Sequence, residues 1–185
     1  MSTQPLNTIT APQDWQRQLQ GLGYASDLMR QCPALLERGP EYLSRVIWPA
    51  MRAGRIQFYF DADGRSAAYV VWARLPPATE VRLLAGEAMG TEQLLPGADG
   101  QLWVIDLVAP RGHVRAVLAD LRDRVFGVER AVRYFRLKQG RRIVKEIERD
   151  TRLGFFRPGE ATGPAWRCAL EACSFCRPRW DVSAI

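Results

Sequence analysis

The stretch at residues 102–112, LWVIDLVAPRG, constrains this chain more than any other. Leu102, Trp103, Val104, Ile105, Leu107 and Val108 surround a single acid, Asp106. An apolar run of that length predicts a strand buried on both faces. A carboxylate in such a strand is costly unless something pairs with it or uses it. Pro110 and Gly112 then break the strand, and helical spacing begins at once through Val114, Val117, Leu118, Leu121 and Val125. Asp106 is therefore one short step from a strand-to-helix turn, a common place for chemistry in a mixed fold.

The flanking pattern narrows the class. Residues 1–12 read as a flexible tail. Asp14 caps a helix carrying Trp15, Leu19 and Leu22, with Gly23 near its end, and Ala25, Leu28 and Met29 suggest a second one before Pro33. Tyr42, Leu43, Val46, Ile47, Ala50 and Met51 have helical spacing, with Pro49 as a kink and Gly54 as a stop. Residues 56–60 and 67–72 read as a hairpin around the turn Asp61-Ala62-Asp63-Gly64. Pro76-Pro77 opens a short helix, and residues 86–100 read as a surface loop. Beyond the helix that Gly127 ends, residues 131–137 read as a strand, whereas 142–148 fit either a helix face or a strand. This order predicts an α+β or α/β fold with a central mixed sheet flanked by helices. Residues 1–21 form a flexible segment and first helix, 22–149 the main domain, and 150–185 a Cys- and Pro-containing extension.

Composition matters mainly through charge and cysteine. The net charge is +6, and residues 111–149 hold twelve basic residues against five acidic ones. Such an excess suits a solvated face or a docking surface for something acidic. No zinc-finger or helix-turn-helix pattern accompanies it, so nucleic acid is the disfavoured partner. No apolar run approaches the roughly 20 residues of a membrane helix. The N-terminus lacks the basic start and apolar core of a secretory signal, and the expected location is the cytoplasm. Cys168, Cys173 and Cys176 have C-x4-C-x2-C spacing. Structural zinc takes four ligands, and neither Cys32 nor His113 is a close fourth in sequence, so no metal site is expected.

Two stretches carry a family resemblance. One is Trp48-Pro49-Ala50-Met51-Arg52-Ala53-Gly54 with the strand Ala68-Tyr69-Val70-Val71-Trp72-Ala73. The other is Trp103-Val104-Ile105-Asp106-Leu107-Val108-Ala109-Pro110-Arg111-Gly112. Both resemble the RTX toxin-activating protein lysine acyltransferases, where the second block reads Trp-Phe-Ile-Asp-Trp-Ile-Ala-Pro-Phe-Gly. Leu22-Gly23 is similar to the pair that opens the family's region. The resemblance implies a GNAT-like acyltransferase fold. It also implies a fatty acyl donor, acyl–acyl carrier protein, with no tightly bound cofactor, and a lysine-bearing protein as acceptor. The family pairs an aspartate in Asp-x-x-Ala-Pro with a histidine in Ser-Pro-x-His. Asp106 matches the first. Cys32-Pro33-Ala34-Leu35 stands at the second, with Leu35 in the histidine's place.

These readings single out a few residues. Asp106 is the expected catalytic group, as general base or lysine-orienting carboxylate; its structural alternative is an ion pair with an arginine such as Arg133. His113, the sole histidine, replaces the missing imidazole or is simply solvated in its turn. Tyr69, Trp72 and Trp103 are expected beside an acyl slot. Arg111 and Gly112 are expected to meet the donor's phosphate at a helix start, or to form an ordinary turn. The expected function is acyl transfer from acyl carrier protein to lysine. The alternative is a catalytically inactive relative acting as a binding or accessory subunit of a larger complex, and the chain is expected either to pair as a homodimer or to serve as such a subunit.

Overall fold

The computed structural model describes residues 7–10, 15–36, 39–85, 94, 99–138, 141–149, 168–169 and 172–173. Six strands form one mixed sheet in sequence order: β1 (Asn7–Thr10), β2 (Ile56–Phe60), β3 (Ser66–Leu75), β4 (Gln101–Val108), β5 (Ala131–Lys138) and β6 (Arg141–Glu148). Every neighbouring pair is antiparallel except β4 and β5, which run parallel. The helices are α1 (Trp15–Arg30), α2 (Pro33–Leu36), α3 (Gly39–Tyr42), α4 (Trp48–Arg52), α5 (Pro77–Leu84) and α6 (Val114–Asp120). The result is an α+β fold with a central mixed sheet flanked by helices, consistent with a GNAT-like architecture.

Alternation along the strands assigns the two faces. On β2, Phe58 packs edge-on against Tyr24 of α1 and Tyr69 of β3. Its neighbour Tyr59 points the other way and donates its hydroxyl to Asp120 of α6 at 2.8 Å. On β3, Trp72 shares that second face and meets Phe126, just past α6, edge-on at 5.6 Å between ring centres. Thus α1 covers one face and α6 the other. The central strands are buried nearly throughout, which is why they read as continuous apolar runs.

Several elements differ from the sequence reading. Asn7–Thr10 is an edge strand paired with β2, not part of a flexible tail. Four residues are too short for a pattern to stand out, and the pairing comes from the β2 edge. Gly23 does not end the first helix; α1 continues to Arg30. Gly21, also inside α1, lets the helix approach the core: an added Cβ would lie 2.4 Å from Met51 Sδ and 3.3 Å from the Phe58 ring. Pro49 does disturb its helix, but upstream. Leu43–Ile47 is a π-helical turn, in which the Trp48 N–H reaches back to the Leu43 carbonyl. A proline has no N–H and crowds the carbonyl four residues earlier, and a wider turn relieves both problems. A second π-helical turn, Leu121–Val125, follows α6. Residues 142–148 belong to a strand. Residues 86–93 and 95–98 of the expected surface loop lie outside the described residues, as does Cys176. In the extension, β7 (Cys168–Ala169) and β8 (Ala172–Cys173) form a small hairpin in which Cys168 and Cys173 are register partners. Among the described residues there is no helix long and apolar enough to cross a membrane, and no group of three His, Cys, Asp or Glu residues that could hold a metal ion.

Candidate active site

Asp106 owes its direction to an irregularity in the sheet. Val71 of β3 pairs with Asp106, but the next residue, Trp72, pairs with Val104. Ile105 is the extra residue of a β-bulge. Since directly paired residues share a face, Asp106 lies on the face of Val71 and Tyr69, while Val104 lies with Trp72 on the other. Were Ile105 an ordinary paired residue instead, simple alternation would put Asp106 and Val104 on one face. The bulge also puts Trp103, paired with Ala73, on the same face as Asp106.

The parallel ladder stops at the same point. β4 and β5 are eight-residue strands but pair only at Trp103 with Arg133 and Val104 with Tyr134. Past the bulge, the half of β4 that carries Asp106 runs on without a ladder partner in β5 among the described residues. It lies toward the carboxyl ends of two parallel strands, the end at which open sheets bind ligands.

Around Asp106 the chemistry is phenolic. The residue is 1% exposed. Its Oδ2 accepts a hydrogen bond from the Tyr69 hydroxyl at 3.1 Å and a short one from the Tyr42 hydroxyl. Tyr69 comes from β3 and Tyr42 from α3, so sheet and helix layer meet on one carboxylate oxygen. Asp106 is the one acidic or basic side chain among the buried described residues. Hydrogen bonds to the ionised form favour it, whereas burial opposes it.

Arg133 is not the partner of Asp106. Its guanidinium lies between Glu80 and Glu146, and its pKa is raised chiefly by the hydrogen bond to Glu80. Glu80 Oε1 also accepts from the Trp103 indole N–H at 2.9 Å. This Trp103–Glu80–Arg133 cluster ties α5 to β4 and β5. Trp103 itself is fully buried, with its ring against Phe135 at 4.9 Å.

The remaining sequence candidates fall in two places. Trp72 is on the opposite face, against Phe126, and is not brought to Asp106. Arg111, Gly112 and His113 form the turn between β4 and α6. Arg111 Nε donates to Gln31 Oε1 at 2.9 Å, and its guanidinium is 3.5 Å from Asp61 Oδ2, so it ties this turn to the end of α1 and to the β2–β3 turn. Gly112 has φ +83, a left-handed conformation that favours glycine. His113 is the half-buried N-cap residue of α6 and makes no side-chain cap hydrogen bond. Leu35 is fully buried in the core.

Tyr42 was missed by the sequence reading. It lies among Leu43, Val46 and Ile47 at helical spacing and reads there as one more core residue. The available signal was the cost of Asp106 itself: a buried carboxylate requires donors, and a buried tyrosine carries one.

The basic segment is partly neutralised within the fold. Arg122 pairs with Asp123 and Arg124 with Asp120. Arg149 donates to the carbonyls of Arg122, Phe126 and Glu129 at 3.1, 2.6 and 3.0 Å, tying the second π-turn and the residues after it to the end of β6.

Comparison with known proteins places the chain among acyltransferase sequences. The chain is 33% identical over 89 residues to the lysine-acyltransferase RtxC of Vibrio cholerae serotype O1 (strain ATCC 39315 / El Tor Inaba N16961). The aligned part is 46% of this chain and 55% of that protein, so the chain spans about half the length of this curated relative. The description of the HlyC family, the RTX toxin acyltransferases, matches residues 14–149, most of the chain and all six strands but the first. The chain belongs to the RTX toxin acyltransferase family.

Proposed function

We propose that this chain transfers a fatty acyl group from acyl carrier protein to a lysine of a partner protein. The observation that carries the proposal is the placement of Asp106: a buried carboxylate, aimed by a bulge, where the β4–β5 ladder ends. The acyl thioester would lie along the half of β4 that lacks a ladder partner in β5. There, any backbone group not bonded to β5 would suit the amides of a phosphopantetheine arm. The lysine amine, having released its ammonium proton to water, attacks the thioester carbonyl directly. As the C–N bond forms, the nitrogen passes one proton to Asp106. The C–S bond breaks, and the departing sulfur takes that proton. No acyl-enzyme is needed, because the amine is itself a good nucleophile once it is oriented.

The donor is a cosubstrate in this scheme, and no tightly bound cofactor takes part. A cytoplasmic location suits a reaction that draws on acyl carrier protein. Exposed basic residues such as Arg130 and Lys145 suit an acidic carrier, through contacts that mainly speed encounter and weaken with salt.

A second reading has one observation in its favour. Leu35, fully buried, cannot exchange a proton where the family uses histidine. A relative without turnover would keep the sheet as the scaffold of an accessory subunit. Incubation with acyl–acyl carrier protein and lysine-bearing proteins separates the two. A mass increase of one acyl group on a lysine supports transfer, and binding of the carrier with no acylated lysine supports the accessory role.

A further inference from the structure

The two phenols on Asp106 are not equivalent. Tyr69 is fully buried in the middle of the sheet. Tyr42 is 6% exposed and belongs to a helix of four residues, directly before a π-helical turn. It is therefore the donor that joins the carboxylate to the less regular layer, on the side away from α6.

No buried charge competes for this role among the described residues. On the same face, α1 contributes Asp27 and Arg30, but these are engaged with Ser66 and with each other near the surface. α2 contributes Leu35, and β2 contributes Phe58. Cys32 is a buried thiol of the same core. Tyr59 and Asp120 pair on the opposite face, and Arg133 and Glu80 form their own cluster. His113 begins α6, which covers that opposite face.

We propose that Tyr42 is a positioning residue of the acyl-transfer site: its hydroxyl holds Asp106 ionised and oriented to receive the proton of the attacking lysine. This rests on the reading of Asp106 as the proton acceptor. Tyr42 keeps its own proton throughout. It donates to the carboxylate while Asp106 is charged. The bond weakens when Asp106 takes the proton and recovers when the proton passes to the departing sulfur. The phenol thus favours the charged state that starts each cycle and returns the group to it.

Asp106 can be followed with or without turnover. In protein labelled with carboxyl-13C aspartate, the Asp106 resonance is assigned by its absence in Asp106→Asn and titrated with pH. A charge-assisted hydrogen bond corresponds to about one pKa unit. In Tyr42→Phe the Asp106 midpoint rises by about one unit. The acid limb of kcat/KM moves up in pH by the same amount, with KM for the carrier unchanged. Fluorotyrosine placed at position 42 is a stronger donor and lowers the midpoint, which covers the case of a poorly folded Phe variant. A midpoint that ignores both changes overturns the proposal. Absence of turnover in the wild-type chain would defeat the acyl-transfer reading instead, while a shifted midpoint would still show that Tyr42 sets the charge of Asp106.

Discussion

Tyr69 reaches Asp106 along the diagonal of the β3–β4 ladder, 3.1 Å from hydroxyl to carboxylate, because Val71 and not Tyr69 is the residue directly opposite the acid. Deleting Ile105 leaves Val104 opposite Trp72 and Asp106 opposite Val71 as consecutive regular pairs, so Asp106 stays on the face of Tyr69 and Tyr42. Acyl transfer is then retained, while the thermal midpoint falls because a buried apolar side chain is gone. Ile105→Val keeps the bulge and costs about 1 kcal/mol with transfer retained. Thermal unfolding and an acyl-transfer assay on the two variants check this.

The two faces of the sheet make separate demands on tyrosine. Tyr59 and Tyr69 are both buried, and each donates to an aspartate, Asp120 and Asp106 respectively. Burial first, and the Asp120 charge second, push the Tyr59 phenol far above its ordinary pKa. Tyr59→Phe and Tyr69→Phe should each cost about 1 kcal/mol in urea unfolding. Only Tyr69→Phe should also slow transfer, since Tyr59 faces α6. Equal losses of activity would mean that the face assignment has no functional content.

Two glycines of α1 give opposite results with alanine. At Gly21 the new methyl meets Met51 Sδ at 2.4 Å, and Met51 is buried with little room to yield. Overpacking of this sort costs about 1–3 kcal/mol. At Gly23 nothing lies within 4 Å, and the gain in helix propensity should stabilise the protein by up to about 1 kcal/mol. Denaturant midpoints of Gly21→Ala and Gly23→Ala read both signs.

The α1–β3 contact also carries a pH dependence. The Ser66 hydroxyl donates to Asp27 Oδ2 at 2.6 Å and, with help from Arg30 and Arg111, holds the Asp27 carboxyl below its usual pKa. A depressed folded-state pKa contributes stability that is complete above the unfolded value of about 3.9 and lost as pH falls through the folded value. Ser66→Ala should therefore be less stable than wild type at pH 7, by under about 1 kcal/mol because Asp27 is near solvent. The gap should close in acid. Urea unfolding at neutral pH and near pH 3 measures it.

Strong apolar runs and turn residues made the middle of the sheet legible. β2, β3 and β4 lie where continuous hydrophobicity, Asp61–Gly64 and Pro110–Gly112 indicate. What escaped was set by tertiary contact. Asn7–Thr10 becomes a strand because the β2 edge is available. Gly23 stays helical because α1 has a buried face to continue along. The bulge at Ile105 has no local signature, so the side to which Asp106 points could not be read from alternation. Tyr42 escaped for a related reason: its ring obeys the core pattern, and the pattern says nothing of where a hydroxyl points. Asp106 itself was legible because a charge in an apolar strand violates that pattern.

The rate of acyl transfer by Asp106→Asn tests the central claim most directly. Asparagine keeps the size of the side chain and can still accept from Tyr42 and Tyr69, but it cannot take a proton from lysine. With labelled acyl–acyl carrier protein as donor, kcat should fall by about 10²-fold or more while carrier binding persists. Transfer at the wild-type rate would contradict the account.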